Sequence, residues 1–242
     1  KHVICTKPLI DNLADAPALL DAAKRSGRQV FVGQSCRFFG SMMRQRADFE
    51  AGRHGNLFSV EAHYHADNRW FLERDWARSG GLRWLFGGLS HPVDLVRWYL
   101  PEITEVMGYG LLTENGRRLG LKHPDAMHFV MATDDGRIAR VSGCFSSPTV
   151  PAPRDSHITC VLRGLNGVSQ ADYGELRYTT HFTGQGPQHH SLEDQAPYYF
   201  RFEGRTHHAG EYQNYIEHFA RCLKTGQTPK PDLEEGIGTV AG

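Results

Sequence analysis

The sequence predicts a short parallel α/β piece followed by an α+β domain built on a large, mostly antiparallel sheet. Three observations carry this reading. Val3-Ile4-Cys5, a helical stretch and Gln29–Gly33 run strand, helix, strand with short links, a βαβ pattern whose strands pair in parallel. After Gly33 the strands alternate apolar and polar residues, as half-buried strands do. Asp135-Gly136 and Asn166-Gly167 are hairpin signals, and hairpins join antiparallel strands.

The first helix is expected to be capped by Asp11, to carry Leu13, Ala16, Leu20 and Ala23 at helical spacing, and to stop at Gly27. In the strand Gln29–Gly33 the run Val30-Phe31-Val32 is continuously apolar, as a strand covered on both faces would be. A helix is expected over 41–51, ending near Gly52. Leu57–His65 then alternates, with Phe58, Val60, Ala62 and Tyr64 on one face and Ser59, Glu61, His63 and His65 on the other. Further strands are expected between Ile103 and Thr180. Residues 183–210, rich in Gly, Gln, His and Pro, read as a long loop. Glu211–Lys224 is amphipathic, with Tyr212, Tyr215, Ile216, Phe219 and Leu223 on one face and Gly226 as its stop. The tail PDLEEGIGTVAG starts another helix. The change of strand character places a boundary at residue 34, giving pieces 1–34 and 35–242.

Composition narrows the partners. The 242 residues hold 27 basic and 27 acidic side chains. That balance argues against nucleic acid or an anionic membrane, both of which need a basic excess. No run is long enough for a membrane-spanning helix. Five scattered cysteines, none in a CxxC pair, fit reduced thiols in a cytoplasmic protein. Among 14 histidines, His63 and His65 share a strand face and His189-His190 and His207-His208 are adjacent pairs. None forms a convergent ligand set, so no metal site is expected.

Two segments carry chemistry. Cys5–Leu9 (CTKPL) places Lys7 just past the first strand, where ligands of α/β sheets bind. Pro8 restricts the backbone of Lys7, so its ammonium can be aimed at a hydroxyl or a ribose. In Gly87–Pro101 (GGLSHPVDLVRWYLP), Pro92 and Asp94 suit the first turn of a helix. His91 then sits at the positive helix end, which disfavours imidazolium. A neutral imidazole can accept a proton from an alcohol. The aromatic residues from Trp70 to Trp84 read mostly as core, with some placed to stack on a sugar face.

Together these segments resemble the Gfo/Idh/MocA oxidoreductases. The family's KHV-x-x-E-KP-L signature matches Lys1–Leu9 except at Thr6, and its H-x-x-D-L-x-x-W signature matches His91, Asp94, Leu95 and Trp98. Arg37-Phe38, the passage Phe49–Val60 and Gly226–Pro229 are also similar, so the resemblance runs along essentially the whole chain. It implies that residues 1–34 are the C-terminal remnant of a Rossmann domain and 35–242 a substrate-binding and oligomerisation domain. It implies NAD or NADP as cofactor, with hydride transfer to or from a sugar, inositol or related polyol. His91 would be the acid or base. Lys7 would orient the hydroxyl and touch the cofactor, with Thr6, Pro8, Gln34 and Arg37 lining the nicotinamide side. Tyr64, Asp67, Arg83 and Asp94 would face the substrate. Copies of the chain would pair through an apolar sheet face.

The sequence departs from the family at three places. Thr6 replaces the usual Glu, and Gly87 stands where many members carry an Asp four residues before the His. The G-x-G-x-x-G turn that grips a pyrophosphate is absent. The chain is therefore expected to be a piece of a longer protein, inactive by itself. A non-catalytic sugar-binding or assembly module and an NAD-dependent glycoside hydrolase are the alternative readings.

Overall fold

In the computed structural model, residues 1–150, 156–192 and 210–241 are described. The chain runs β1 (Val3–Thr6), α1 (Ala16–Ser26), β2 (Val30–Gly33), α2 (Gly40–Glu50), β3 (Leu57–Ala66), α3 (Arg69–Leu72), α4 (Trp84–Gly87) and α5 (Ser90–Tyr99). It continues through β4 (Glu105–Leu111), α6 (Glu114–Arg118), β5 (Ala126–Ala132), β6 (Ile138–Cys144), β7 (Ser156–Gly164), β8 (Gly167–Asp172), β9 (Arg177–Phe182), β10 (Gln188–Ser191), α7 (Glu211–Thr225) and α8 (Leu233–Ala241).

Two sheets result. β1 and β2 pair in parallel, with Thr6 opposite Gly33. The other eight strands form one sheet in the order β10-β9-β8-β7-β3-β6-β5-β4. Its pairs are antiparallel except β3 with β6. Asp135-Gly136 and Asn166-Gly167 turn the β5–β6 and β7–β8 hairpins, and Gly136 takes the left-handed φ of 84° that such turns require. The parallel α/β piece and the large, mostly antiparallel sheet are thus both present, and the change falls between β2 and α2.

Helices α2 and α5 lie on one face of the large sheet. Val60, Ala62, Val141, Ile158, Cys160 and Leu162 meet Leu89, Leu95 and Val96 there, all buried. Gly143 on β6 permits the close approach. A Cβ at that position would stand 2.4 Å from the Tyr64 carbonyl and 2.6 Å from Leu89, so α5 sits directly on the strand. A second, smaller core lies against β2: Phe31 and Phe38 pack against Phe219 and Tyr215 of α7, with Phe31 and Phe219 stacked at 5.5 Å. Leu233 is buried in α8, and Val32 N–H bonds to the Pro231 carbonyl just before that helix. The C-terminal helices therefore fold back onto the first strands.

Four expectations change. Asn12, not Asp11, caps the first helical turn, accepting from Ala14 N–H at 3.1 Å. Phe58 is exposed, because the β3–β7 register shifts between Leu57 and Ser59. β10 occupies part of the stretch read as a loop, while 193–209, with His207-His208, lies outside the described residues. On α7, Ile216 and Leu223 face outward and Cys222 is buried instead, because the helix packs through Tyr215, Phe219 and Cys222.

The open face of the large sheet is not uniformly apolar. Met107, Tyr109, Leu111, Val130 and Ile138, on β4 to β6, are all more than half exposed. Toward β3, β7 and β8 it becomes polar. Arg140 and Arg163 both bind Glu61. The imidazole of His63 lies 5.7 Å from that of His65 and 5.5 Å from that of His157, and His157 Nε2 meets Asp172 at 3.0 Å. Burial, helped by the neighbouring His157 and His65, pushes His63 down to about 4. Among the described residues no three His, Cys, Asp or Glu side chains are placed to hold a metal ion, and no helix is long and apolar enough to cross a membrane.

Candidate active site

The chain just past β1 meets α4 and the end of β3 at a cavity of about 420 Å³. Lys7, Pro8 and Asp11 form one wall, after β1. Leu82, Arg83, Trp84, Phe86 and Gly87 form the opposite wall, and Tyr64, Phe71, Trp76 and Phe145 complete it. Trp84 is buried and stacks on Phe145 with centroids 3.9 Å apart. Phe71 and Trp76 pack edge to face at 5.2 Å. Such a lining, mostly apolar with a few converging polar groups, is that of a small-molecule site.

Lys7 crosses the cavity to α4. Its Nζ donates to the Gly87 carbonyl. Burial lowers its pKa to about 8, only partly opposed by the field of Cys36. No carboxylate among the described residues pairs with it. Where the family often places an Asp side chain, this chain offers a backbone carbonyl: a dipole that orients the ammonium without adding a compensating charge. The buried Cys36 thiol is pushed up by burial, against the pull of Lys7.

His91 lies in the first turn of α5, 6% exposed, with its ring 6.0 Å from that of Tyr64. Tyr64 also packs against Trp84, tilted by 57° with centroids 5.0 Å apart, so it links the cavity wall to the imidazole. Thr6 ends β1 beside Gly33. Gln34 follows β2, and its side chain is 2% exposed with an Oε1 that finds no hydrogen-bond donor among the described residues. An unsatisfied buried carbonyl costs about 1–3 kcal/mol.

Arg37 and Asp94 do not line the cavity. They bind each other in a buried fork: Nε to Oδ2 at 2.7 Å and Nη2 to Oδ1 at 2.8 Å. Thr239 Oγ1 adds a hydrogen bond to Asp94 at 3.2 Å, and Glu235 stands 3.4 Å from Arg37. Burial opposes both charges. Asp94 nonetheless holds the guanidinium protonated, through its charge and its hydrogen bonds. This pair ties Arg37, just past β2, to α5 and α8. Asp67 lies outside the cavity wall and is held by Arg69 at 2.6 and 2.7 Å. The structure therefore gathers Lys7, Pro8, Tyr64 and Arg83 around one cavity. His91 lies beside Tyr64 of that lining, Thr6 and Gln34 at the strand ends, and Arg37, Asp94 and Asp67 outside the lining.

Sequence reasoning missed Asp11, Phe145 and the Gly87 carbonyl as wall elements, and the fully buried Glu211 at the start of α7. Phe145 follows a strand with nothing in its neighbourhood to mark it, and only the tertiary path brings Gly87 to Lys7.

The match to known proteins is now decisive. The family model described as "Oxidoreductase family, C-terminal alpha/beta domain" (GFO_IDH_MocA_C) covers residues 48–241. The chain belongs to the Gfo/Idh/MocA oxidoreductase family. YteT of Bacillus subtilis (strain 168) is 31% identical over 146 residues, which is 56% of this chain and 31% of that protein. An Agrobacterium radiobacter oxidoreductase solved with NAD+, L-tartaric acid and magnesium superposes with TM-score 0.83 at 16% identity, over 99% of this chain and 68% of that one. Levoglucosan dehydrogenase solved with NADH and levoglucosan gives 0.81 at 17% identity, over 99% and 69%. The matched stretch thus spans about a third of YteT.

Removing one partner of the Arg37–Asp94 fork strands a buried charge. Asp94→Ala is expected to lower stability by about 3–5 kcal/mol, measured by guanidinium unfolding. A loss below about 1 kcal/mol would show that solvent reaches the pair.

Proposed function

We propose that this chain forms the substrate half, and part of the cofactor cleft, of a nicotinamide-dependent oxidoreductase. The reaction moves a hydride between nicotinamide and a hydroxyl-bearing carbon of a sugar or polyol. In this reading residues 1–34 belong to the cofactor half and 35–242 to the substrate half. The observation that carries it is the Lys7 ammonium, held across an aromatic cavity beside the helix turn that bears His91. The family assignment supports it, as do neighbours of the same fold solved with NAD+ or NADH and, for one, with levoglucosan.

The residues fit half of such a cofactor. The buried Gln34 Oε1 suits the amide of a nicotinamide carboxamide, and Thr6, Lys7 and Pro8 border the same strand ends. The glycine turn for a pyrophosphate is not in this sequence. When bound, nicotinamide supplies the hydride acceptor or donor. The chain's own groups do the rest. Lys7 Nζ donates to the substrate hydroxyl and stabilises negative charge as its proton leaves. The His91 imidazole takes that proton. Trp84, Phe71 and Trp76 cover the apolar face of the ring and keep water out. Titration of NADH and of reduced nicotinamide mononucleotide, followed by NMR, is expected to shift resonances at Lys7 and Gln34. Silence with both would sink this reading.

With no carboxylate beside it, Lys7 is expected to titrate with a midpoint of about 8. A Cβ at position 87 meets only the end of the flexible Leu82 side chain, Cδ1 at 3.3 Å, which has to give by a few tenths of an ångström. Gly87→Asp should favour the ammonium and raise that midpoint by about one unit or more. An NMR titration of the Lys7 ζ group in both proteins checks this. An unchanged midpoint would mean that Lys7 does not point at residue 87.

We also infer that a second copy of the chain covers Met107, Tyr109, Leu111, Val130 and Ile138 on the open sheet face. An exposed apolar patch of this kind marks an association surface. Sedimentation is expected to show a dimer or larger that Tyr109→Glu with Met107→Glu dissociates. A monomeric wild type at about 100 μM would overturn the inference.

A further inference from the structure

We propose that Arg83 makes this site selective for a substrate carrying an anionic group, a carboxylate or a phosphate ester, on its sugar. This deepens the sugar-oxidoreductase reading above and rests on it. The argument starts with charge. Two cations, Lys7 and Arg83, line the cavity against one carboxylate, Asp11. Lys7 is engaged with the Gly87 carbonyl at the strand end, where the reacting hydroxyl would sit. Asp11 makes no ion pair among the described residues. That leaves Arg83 as a second positive group on the opposite wall.

Arg83 is built to offer its head and hold its base. Its backbone is extended, with φ −113° and ψ 110°, and caps the start of α4. Its carbonyl accepts from Gly87 N–H at 2.8 Å and Phe86 N–H at 3.1 Å. The next residue, Trp84, is locked in the core against Phe145. The guanidinium rests only on the Phe86 ring, 5.9 Å from its centroid, and no acidic side chain among the described residues pairs with it. Its neighbours on the preceding segment differ in this respect. Arg69 is taken up by Asp67, Arg74 lies over Phe71 and Trp70, and neither lines the cavity. Arg83 is thus an uncommitted guanidinium in a cavity wall, and its planar fork matches a carboxylate or phosphate. A neutral polyol would leave that charge unanswered. An anionic one bridges the cavity, with its hydroxyl at Lys7 and its charge at Arg83, its ring lying over Trp84 and Trp76.

The test is calorimetric titration of glucuronate, glucose 6-phosphate and glucose into wild type, Arg83→Gln and Arg83→Lys. Thermal melts of each variant confirm folding, which an exposed residue leaves intact. At least one anionic sugar is expected to bind the wild type about tenfold or more tightly than glucose. That preference should vanish in Arg83→Gln and persist in part in Arg83→Lys. Which anionic sugar binds tells carboxylate from phosphate. Equal binding of glucose and both anionic sugars, or a preference that survives Arg83→Gln, overturns the proposal and leaves the sugar reading standing. Binding of no sugar overturns both.

Discussion

The Arg37–Asp94 fork is the constraint on which the site depends. Removing two charges from water costs several kcal/mol per ion, and attraction repays this only where the geometry is good and the remaining hydrogen-bonding capacity is used. Here two parallel N–H···O bonds of 2.7 and 2.8 Å join the ions, and Thr239 takes up part of what is left of the carboxylate. The three participants come from distant parts of the sequence: just past β2, the second turn of α5 and the body of α8. A buried pair that tolerates no slack fixes the rotation of α5, and with it the direction of His91, three residues before Asp94.

The second constraint is steric. α5 reaches its depth over the large sheet because Gly143 presents no side chain. Leu89, Val93, Leu95 and Val96 then fill the interface. The same approach brings Gly87, just upstream of α5, within reach of Lys7 from the other sheet. Packing and charge therefore act together: the sheet sets the height of the helix, the fork sets its rotation, and the Lys7 bond to Gly87 spans the remaining gap.

The strand and helix order was legible because it depends on local rules. Period-two alternation marked β3, glycines at Asp135-Gly136 and Asn166-Gly167 marked two hairpins, and Pro92 with Asp94 marked the start of α5. Lys7 and His91 were legible because their surroundings in sequence are distinctive. The roles of Arg37 and Asp94 were not, because a sequence shows that two ions exist but not that they neutralise each other. Phe58 and Ile216 broke their periodic patterns for a related reason. A register shift on β3 and the choice of face on α7 are settled by tertiary partners. Asp11 was read as a cap, since capping is a local role that Asp fills well. Its place in the cavity wall depends on the path of the chain after Lys7.

The replacement of a carboxylate by a backbone carbonyl opposite Lys7 has a consequence for the chemistry. A carboxylate neighbour would hold Lys7 firmly as an ammonium and add a negative charge where the substrate develops one. The Gly87 carbonyl orients Nζ but brings only a partial charge, so burial prevails and the ammonium is poised near neutral pH. Such a group gives up its proton more readily and meets an alkoxide without a competing anion at its side. The same absence leaves the cavity with a net positive lining, which a negatively charged substrate complements and which a Lys–Asp pair would have cancelled. The glycine at position 87 and the free guanidinium at position 83 are thus two parts of one electrostatic arrangement, carried on a single turn of chain between Arg83 and Gly88.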